Sequence, residues 1–340
     1  MRAIAMARLN LPDGTTWITA LALQRPHDLA TAVAVRTGAR RAAASRLLGR
    51  LVALQWLERD GSRSRPRYRP GPLRQVVQRY DLAGLDEERA WTRDFAPCFA
   101  LPPAVRRMVQ HAFTELVNNA VDHSGGRTVT VSMRQTPVQV QLLVSDDGRG
   151  AFDTIRDAFA IDDPAQAMLE LAKGRLTTQP ERHGGRGLYH TARLADVFDL
   201  HANASGWRRV AWDDGRWQAA RALPRHGTSV YVAIALDTSR TLDDVLRAGS
   251  AEGVRGWIDH TVVPLRLLAA DGVLESRALA RRAAWRLEQF ASATLDFDGI
   301  ADVGPAFADE LGRVLPARRP GLQLKSVNAT PAVASQLAVA

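Results

Sequence analysis

Cysteine is nearly absent from this sequence: Cys98 stands alone among 340 residues, so neither an intramolecular disulfide nor a cysteine-based zinc site can form. Lysine is almost as scarce, with only Lys173 and Lys325, and positive charge falls to arginine. No uninterrupted apolar stretch approaches the ~20 residues a bilayer span needs. The first residues carry Arg2 and Arg8 but lack the apolar core and small-residue cleavage site of a signal peptide. These absences predict a soluble, cytoplasmic protein with no membrane contact, held together by core burial. An apolar fraction of 46% and a charged fraction of 24% exclude a disordered or fibrous chain, and at ~150 residues per domain the length predicts two or three domains.

The charge that is present is unevenly placed. Residues 1–80 hold fifteen Arg and no Lys against Asp13, Asp28, Glu58 and Asp60, a net +11, so the remaining 260 residues sum to −2 of the total +9. A basic segment on a near-neutral body suits a polyanion partner, because neutralising phosphates needs clustered cations. The wider preference for Arg and Ala also fits nucleotide composition alone.

Within the basic segment the apolar spacing is helical and broken at short intervals: 17–23, 29–35 and 39–54, the last with Leu47, Leu48, Leu51, Val52 and Leu54 on one face. Asp28 is placed to cap the second helix and Gly38 to end it in a left-handed turn. Residues 56–59 and 66–69 flank Asp60-Gly61-Ser62 as a two-stranded hairpin. Together these predict a winged helix-turn-helix. Arg40, Arg41 and Arg46 on its third helix and Arg63, Arg65, Arg67 and Arg69 on its wing are the candidate contacts to double-stranded DNA. The alternative is a dimerisation or protein-docking module.

The central segment carries the most specific signals. Residues 105–122 have helical apolar spacing that puts Glu115 and Asn119 on one face. A carboxamide there suits Mg²⁺, which takes few protein oxygens, and a carboxylate suits a general base for water or a hydroxyl. Taken alone, a Glu-x-x-x-Asn pair is usually a solvated helix face. The alternating strand 138–144 runs into Ser145-Asp146-Asp147-Gly148-Arg149-Gly150, a carboxylate followed by two glycines that admit close backbone approach. His183-Gly184-Gly185-Arg186-Gly187-Leu188 then opens a helix over 189–198, offering backbone N–H groups to phosphates. Gly227-Thr228 starts a further strand. The glycine loop follows no strand and lacks Gly-Lys-Ser/Thr, which excludes the dinucleotide and Walker readings.

These four elements, in this order, resemble the boxes of the GHKL (histidine kinase-like, Bergerat-fold) ATPases. Glu115-Leu116-Val117-Asn118-Asn119-Ala120 is similar to the N box, 146–150 to the first glycine box, Gly185-Arg186-Gly187-Leu188 to the second and Gly227-Thr228 to the third. The resemblance implies ATP and Mg²⁺ as cofactors. Glu115 is the implied base and Asn119 the metal ligand; Asn118, Asp146, Gly148, Gly150, Gly184, Gly185, Arg186, Gly187, Leu188 and Thr228 complete the nucleotide site. Residues 151–182 become a mobile lid, with Lys173 and Thr178 as phosphate contacts.

After Asp237 strands and helices alternate, predicting a small α/β domain. Leu295-Asp296-Phe297-Asp298-Gly299-Ile300 with Ala306-Phe307-Ala308-Asp309-Glu310-Leu311 resembles the STAS-like domain that follows a GHKL module in a bacterial family opening with a winged helix. The expected architecture is therefore α+β and multidomain: winged helix at 1–80, Bergerat-fold α/β sandwich at 81–236, linker at 237–261 and STAS-like domain at 262–340. In the related anti-sigma-factor kinases a STAS partner is phosphorylated on a helix-start serine, yet Asp302-Val303-Gly304-Pro305-Ala306 offers no hydroxyl. No helix pair presenting an acceptor histidine precedes the site, and His111 and His123 read as packing or capping residues. The leading expectation is an ATP-dependent regulator acting through the winged helix on DNA and through the STAS-like domain on a protein partner. The alternatives are an anti-sigma-factor-like serine/threonine kinase acting in trans and a slow ATPase, with a homodimer as an allowed assembly.

Overall fold

The computed structural model describes residues 11–62, 64–181, 184–221, 223 and 225–338. The described residues begin with four helices, α1 (Leu11–Thr15), α2 (Ile18–Gln24), α3 (Leu29–Thr37) and α4 (Arg41–Ala53), and an antiparallel hairpin of β1 (Leu57–Gly61) and β2 (Pro66–Pro70). Gly38 closes α3 at φ 66°, its N–H bonded to the Ala34 carbonyl, a conformation glycine reaches without a Cβ penalty. Asp28 stands at the N-cap of α3 but makes no side-chain capping bond. Ile18, Leu29, Val33, Leu47, Leu48, Leu51, Trp56 and Leu57 form a core closed within this module.

A seven-stranded antiparallel sheet in the order β3-β4-β5-β9-β6-β7-β8 follows. Its elements in chain order are β3 (Arg74–Asp81), α5 (Glu87–Ala90), α6 (Pro103–His123), β4 (Thr128–Gln135), β5 (Gln139–Asp146), α7 (Ala151–Phe159), α8 (Pro164–Lys173), α9 (Gly187–Leu194), β6 (Val197–Ala202), β7 (Ser205–Val210), β8 (Trp217–Ala219) and β9 (Thr228–Ala235). β3 pairs with β4 along its whole length, Arg74 opposite Gln135 to Asp81 opposite Thr128. The central fold therefore begins at residue 74, inside the stretch assigned by sequence to the winged helix. The strands alternate as a half-covered sheet requires: Val129, Val131 and Met133 are buried, while Thr130 and Ser132 are only partly covered. Helix α6 packs on β5 and β9 through Met108, Ala112, Leu116 and Ala120, and α9 packs on α6 and β9. The helix expected to reach Phe198 stops at Leu194, and Phe198 is buried in β6.

The remaining elements are α10 (Leu242–Arg247), β10 (His260–Pro264), β11 (Val273–Leu274), α11 (Arg277–Ala284), β12 (Ser292–Asp296), β13 (Asp302–Val303), α12 (Pro305–Asp309), α13 (Leu315–Arg318), β14 (Gln323–Val327) and α14 (Pro331–Ala338). β10, β12 and β14 form a parallel sheet in that order. The 237–261 stretch is no free linker: Leu242, Val245, Leu246 and Ile258 are buried, and α10 packs on α9 and α6. The central sheet and the C-terminal module share one continuous core from Val76 to Val333. Among the described residues no helix is long and apolar enough to cross a membrane.

Candidate nucleotide site

One cleft of about 330 Å³ opens between α6, the ends of β5 and β9, α7 and the loop before α9. Its lining includes Glu115, Asn118, Asn119, His123, Asp146, Thr178, Gly184, Gly185, Arg186, Gly187, Leu188 and Thr228. The structure thus brings together residues spread over more than a hundred positions.

Asp146 closes the cleft floor. It is the last residue of β5, buried, and its Oδ1 accepts from the Gly148 N–H at 2.9 Å and the Thr228 N–H at 3.0 Å. Burial pushes its carboxyl above the usual range, partly offset by the Thr228 and Gly148 donors. A fixed, poorly solvated carboxylate of this kind is a specific acceptor for an amino group. Its neighbour Asp147 turns outward and accepts from the Arg127 and Thr128 N–H groups at 2.8 and 2.9 Å and from the Thr128 hydroxyl at 2.7 Å. Those bonds lower its carboxyl to about 2 and tie β5 to the start of β4. Gly148 is required by contact, since an added Cβ would lie 2.7 Å from the Ser124 Cβ. Gly150 caps α7 at φ 90°, and the Thr228 hydroxyl accepts from the Ala151 N–H at 3.0 Å.

On the opposite wall, Glu115 rests against the first turn of α9: a Cβ at Gly187 would overlap its carboxylate. That position is the positive end of the helix dipole, where a carboxylate or phosphate is stabilised. His111, one turn earlier, has Nδ1 4.0 Å from Glu115 Oε1, and burial followed by Arg255 lowers its proton affinity. Asn118 Nδ2 approaches Glu87 Oε1 at 3.5 Å, and the Thr178 hydroxyl lies 3.1 Å from His123 Nδ1. Among the described residues no group of three or more His, Cys, Asp or Glu is placed to hold a metal ion. An ion here would rely on Asn119 and on oxygens brought by a ligand.

Lys173 is a correction. Instead of facing the cleft, it is fully buried at the end of α8, its ammonium 2.6 Å from the equally buried Glu170 Oε1 and 2.8 Å from the Trp285 carbonyl. Arg286 completes the cluster at 3.3 Å from Glu170 Oε2, and the Thr261 hydroxyl donates to the Lys173 carbonyl at 2.8 Å. Three of these partners come from the C-terminal module, which sequence spacing cannot reveal. Of the stretch expected to be a mobile lid, α8 is accordingly built into that module: Ala167, Met168, Leu169 and Ala172 are buried and α8 packs on β10, whereas Thr178 lines the cleft.

In the N-terminal module, Arg40, Arg41, Arg46, Arg65 and Arg67 are exposed on α4 and the wing, while Arg63 lies outside the described residues. Arg69 is turned across the hairpin to Asp60 at 2.6 Å and Glu58 at 3.7 Å, so its charge is largely matched within the wing. Arg50 belongs on the same exposed face as Arg46, with the small residues Ala42, Ser45 and Gly49 between the arginines. Its spacing of four from Arg46 was the available signal.

The family of histidine kinase-like ATPase domains matches residues 78–212, from within β3 to just past β7. That stretch is similar to a histidine kinase-like ATPase domain, and the match holds the α6 pair, Asp146 and the glycine loop, whereas Thr228 and β9 lie beyond it. No curated protein matches the chain.

Proposed function

We propose that the chain is a regulator that binds Mg-ATP in this cleft and passes the nucleotide state to a DNA-contacting winged helix and to a partner-docking C-terminal module. The observation that carries this reading is the convergence of Asp146, Glu115, Asn119 and the glycine loop 184–187 on one cleft. Asp146 accepts from the adenine amino group, the loop ahead of α9 offers backbone N–H groups to phosphates, and Asn119 offers its amide oxygen to Mg²⁺. Bound Mg-ATP supplies the transferable phosphoryl group. Glu115 takes the proton of an attacking water or partner hydroxyl. Coupling requires the two conformations to bind nucleotide with different affinity, and the packing of α8 on the C-terminal sheet supports a shared response.

Calorimetry and phosphate release on the full chain test this. Glu115→Ala is expected to retain ATP affinity within a few-fold and to lose turnover by at least about 10²-fold. Asp146→Asn is expected to abolish measurable adenine recognition. Unchanged turnover in the first variant removes Glu115 as base, and normal affinity in the second removes Asp146 as the adenine acceptor.

A further inference from the structure

We propose that Trp257 is a positioning residue for the phosphate end of the nucleotide site, holding Arg186 at the glycine loop from outside the matched ATPase domain. The inference rests on the reading of the cleft as an ATP site and assigns its discrimination between nucleotides of different phosphate number.

Trp257 lies between α10 and β10, and 42% of it is exposed. Two guanidinium groups, those of Arg175 and Arg186, stand over its ring, each 5.3 Å from the centroid. Arg186 is held at two further points. Its Nη1 donates to the Gly256 carbonyl at 2.5 Å, and the guanidinium packs back on the glycine loop, where a Cβ at Gly184 would lie 2.8 Å from Nε. This is the arginine that both lines the cleft and immediately precedes α9. Arg175 is fixed beside it with a left-handed φ of 58°. Its Nη1 donates to the Ile258 carbonyl at 3.4 Å and to the Gln289 carbonyl, and its own carbonyl accepts from Arg286.

Two cations against one ring repel each other. Burial and the Arg186 charge both lower Arg175, and Asp259 works against them. The ring face and the backbone carbonyls hold the pair by cation–π attraction and hydrogen bonding, but neither supplies a full counter-charge. A phosphate chain at the glycine loop would supply one, and its benefit grows with the number of phosphates that reach beyond the α-phosphate to the loop. Without the ring, Arg186 keeps its charge but loses the surface that orders it, so the entropy of fixing the side chain falls on nucleotide binding. The adenine end, held at Asp146, is untouched.

The test is calorimetric affinity for Mg-ATP, Mg-ADP and AMP on the full chain carrying Trp257→Ala, Trp257→Phe, Arg186→Gln, or Arg186→Gln with Trp257→Ala. Trp257→Ala is expected to weaken ATP about tenfold, ADP less and AMP not measurably, and Trp257→Phe to restore most of the loss. In the Arg186→Gln background the tryptophan change should add nothing, because the ring acts through Arg186. Equal losses for all three nucleotides, or additive losses in the double variant, would overturn the proposal. Should Trp257→Ala not fold, the ATP-to-AMP ratio of Arg186→Gln decides, and an unchanged ratio overturns it equally. A wild-type chain that binds none of the three removes the ATP reading itself, whereas wild-type binding with an unchanged ratio in Trp257→Ala removes this assignment alone.

Discussion

The N-terminal module encloses its own core around Leu29, Leu48 and Leu51, whereas the C-terminal module shares a core with the ATPase domain. Between the first module and the central sheet the links run along one edge: α1 and α2 pack on β3, the Val77 N–H donates to the Thr16 carbonyl at 3.2 Å and the Gln75 N–H to the Thr19 hydroxyl at 3.2 Å, and Arg134 of β4 stands 5.6 Å over the Trp56 ring. On the other side stand the Glu170–Lys173–Arg286 cluster, Thr261 against Lys173 and the arginines around Trp257. A module with its own core can reorient at little cost, while one sharing a core moves with its neighbour or disrupts it. The same ATPase domain thus has a loosely joined partner on one side and a fused one on the other.

The largest expected effect lies in the fused side. Glu170→Leu leaves the Lys173 ammonium and Arg286 guanidinium buried without their anion, and removing one partner of a buried ion pair costs about 3–5 kcal/mol. Burial already pushes the Glu170 carboxyl up and the Lys173 ammonium down, with their attraction opposing both. Urea unfolding is expected to show the midpoint falling and the N-terminal module unaffected. A loss below about 1 kcal/mol would mean that the junction opens to water and that the two modules are joined no more tightly than the first pair.

A second test uses acid. His190, 2% exposed on α9, is buried, and desolvation, with lesser repulsion from His111, Arg193 and Arg186 and a small opposing contribution from the Val245 backbone, lowers its pKa to about 4. The unfolded chain binds that proton near pH 6.5 and the folded chain only near 4. Stability is therefore full above pH 6.5 and is lost as pH falls to 4, by up to about 3 kcal/mol. His190→Gln should flatten that part of the stability curve. Because α9 joins α6 to α10, acid is expected to loosen the ATPase domain together with the C-terminal module while the first module stays folded. Coincident loss of both cores would contradict their independence.

Local signals were readable wherever they are contiguous. Gly38, the wing hairpin and the Glu115–Asn119 spacing follow from periodicity and turn chemistry acting over a few residues. Lys173 shows where that stops: scarcity and proximity to a glycine loop drew it toward phosphate, yet its partner Trp285, and the Arg286 that shares Glu170 with it, lie over a hundred residues away. The 237–261 stretch failed as a linker for the same reason, since Ile258 is buried by packing that no local pattern announces. Trp257 carries no motif at all, and only the fold sets its ring under Arg175 and Arg186.

The smallest effect on stability is expected on the loosely joined side, where it is also most informative about function. Arg41, Arg46, Arg65 and Arg67 are exposed, so changing all four to Ala should alter unfolding by about 0.5 kcal/mol or less per site. If they meet DNA phosphates, each contact releases about 0.9 counterion, and log K against log[salt] should become shallower by about 3.6 in the quadruple variant. Arg69, already matched by Asp60 and Glu58, should change the slope little when replaced, which separates contact from general basicity. Mg-ATP added to the wild type then probes the coupling: a shift in DNA affinity with an unchanged slope means the whole module reorients, whereas a changed slope means that some of these arginines are withdrawn from the phosphates. A slope identical in wild type and quadruple variant would assign the N-terminal module to protein docking, leaving its independent core as the basis of a hinge and its charge without a nucleic-acid role.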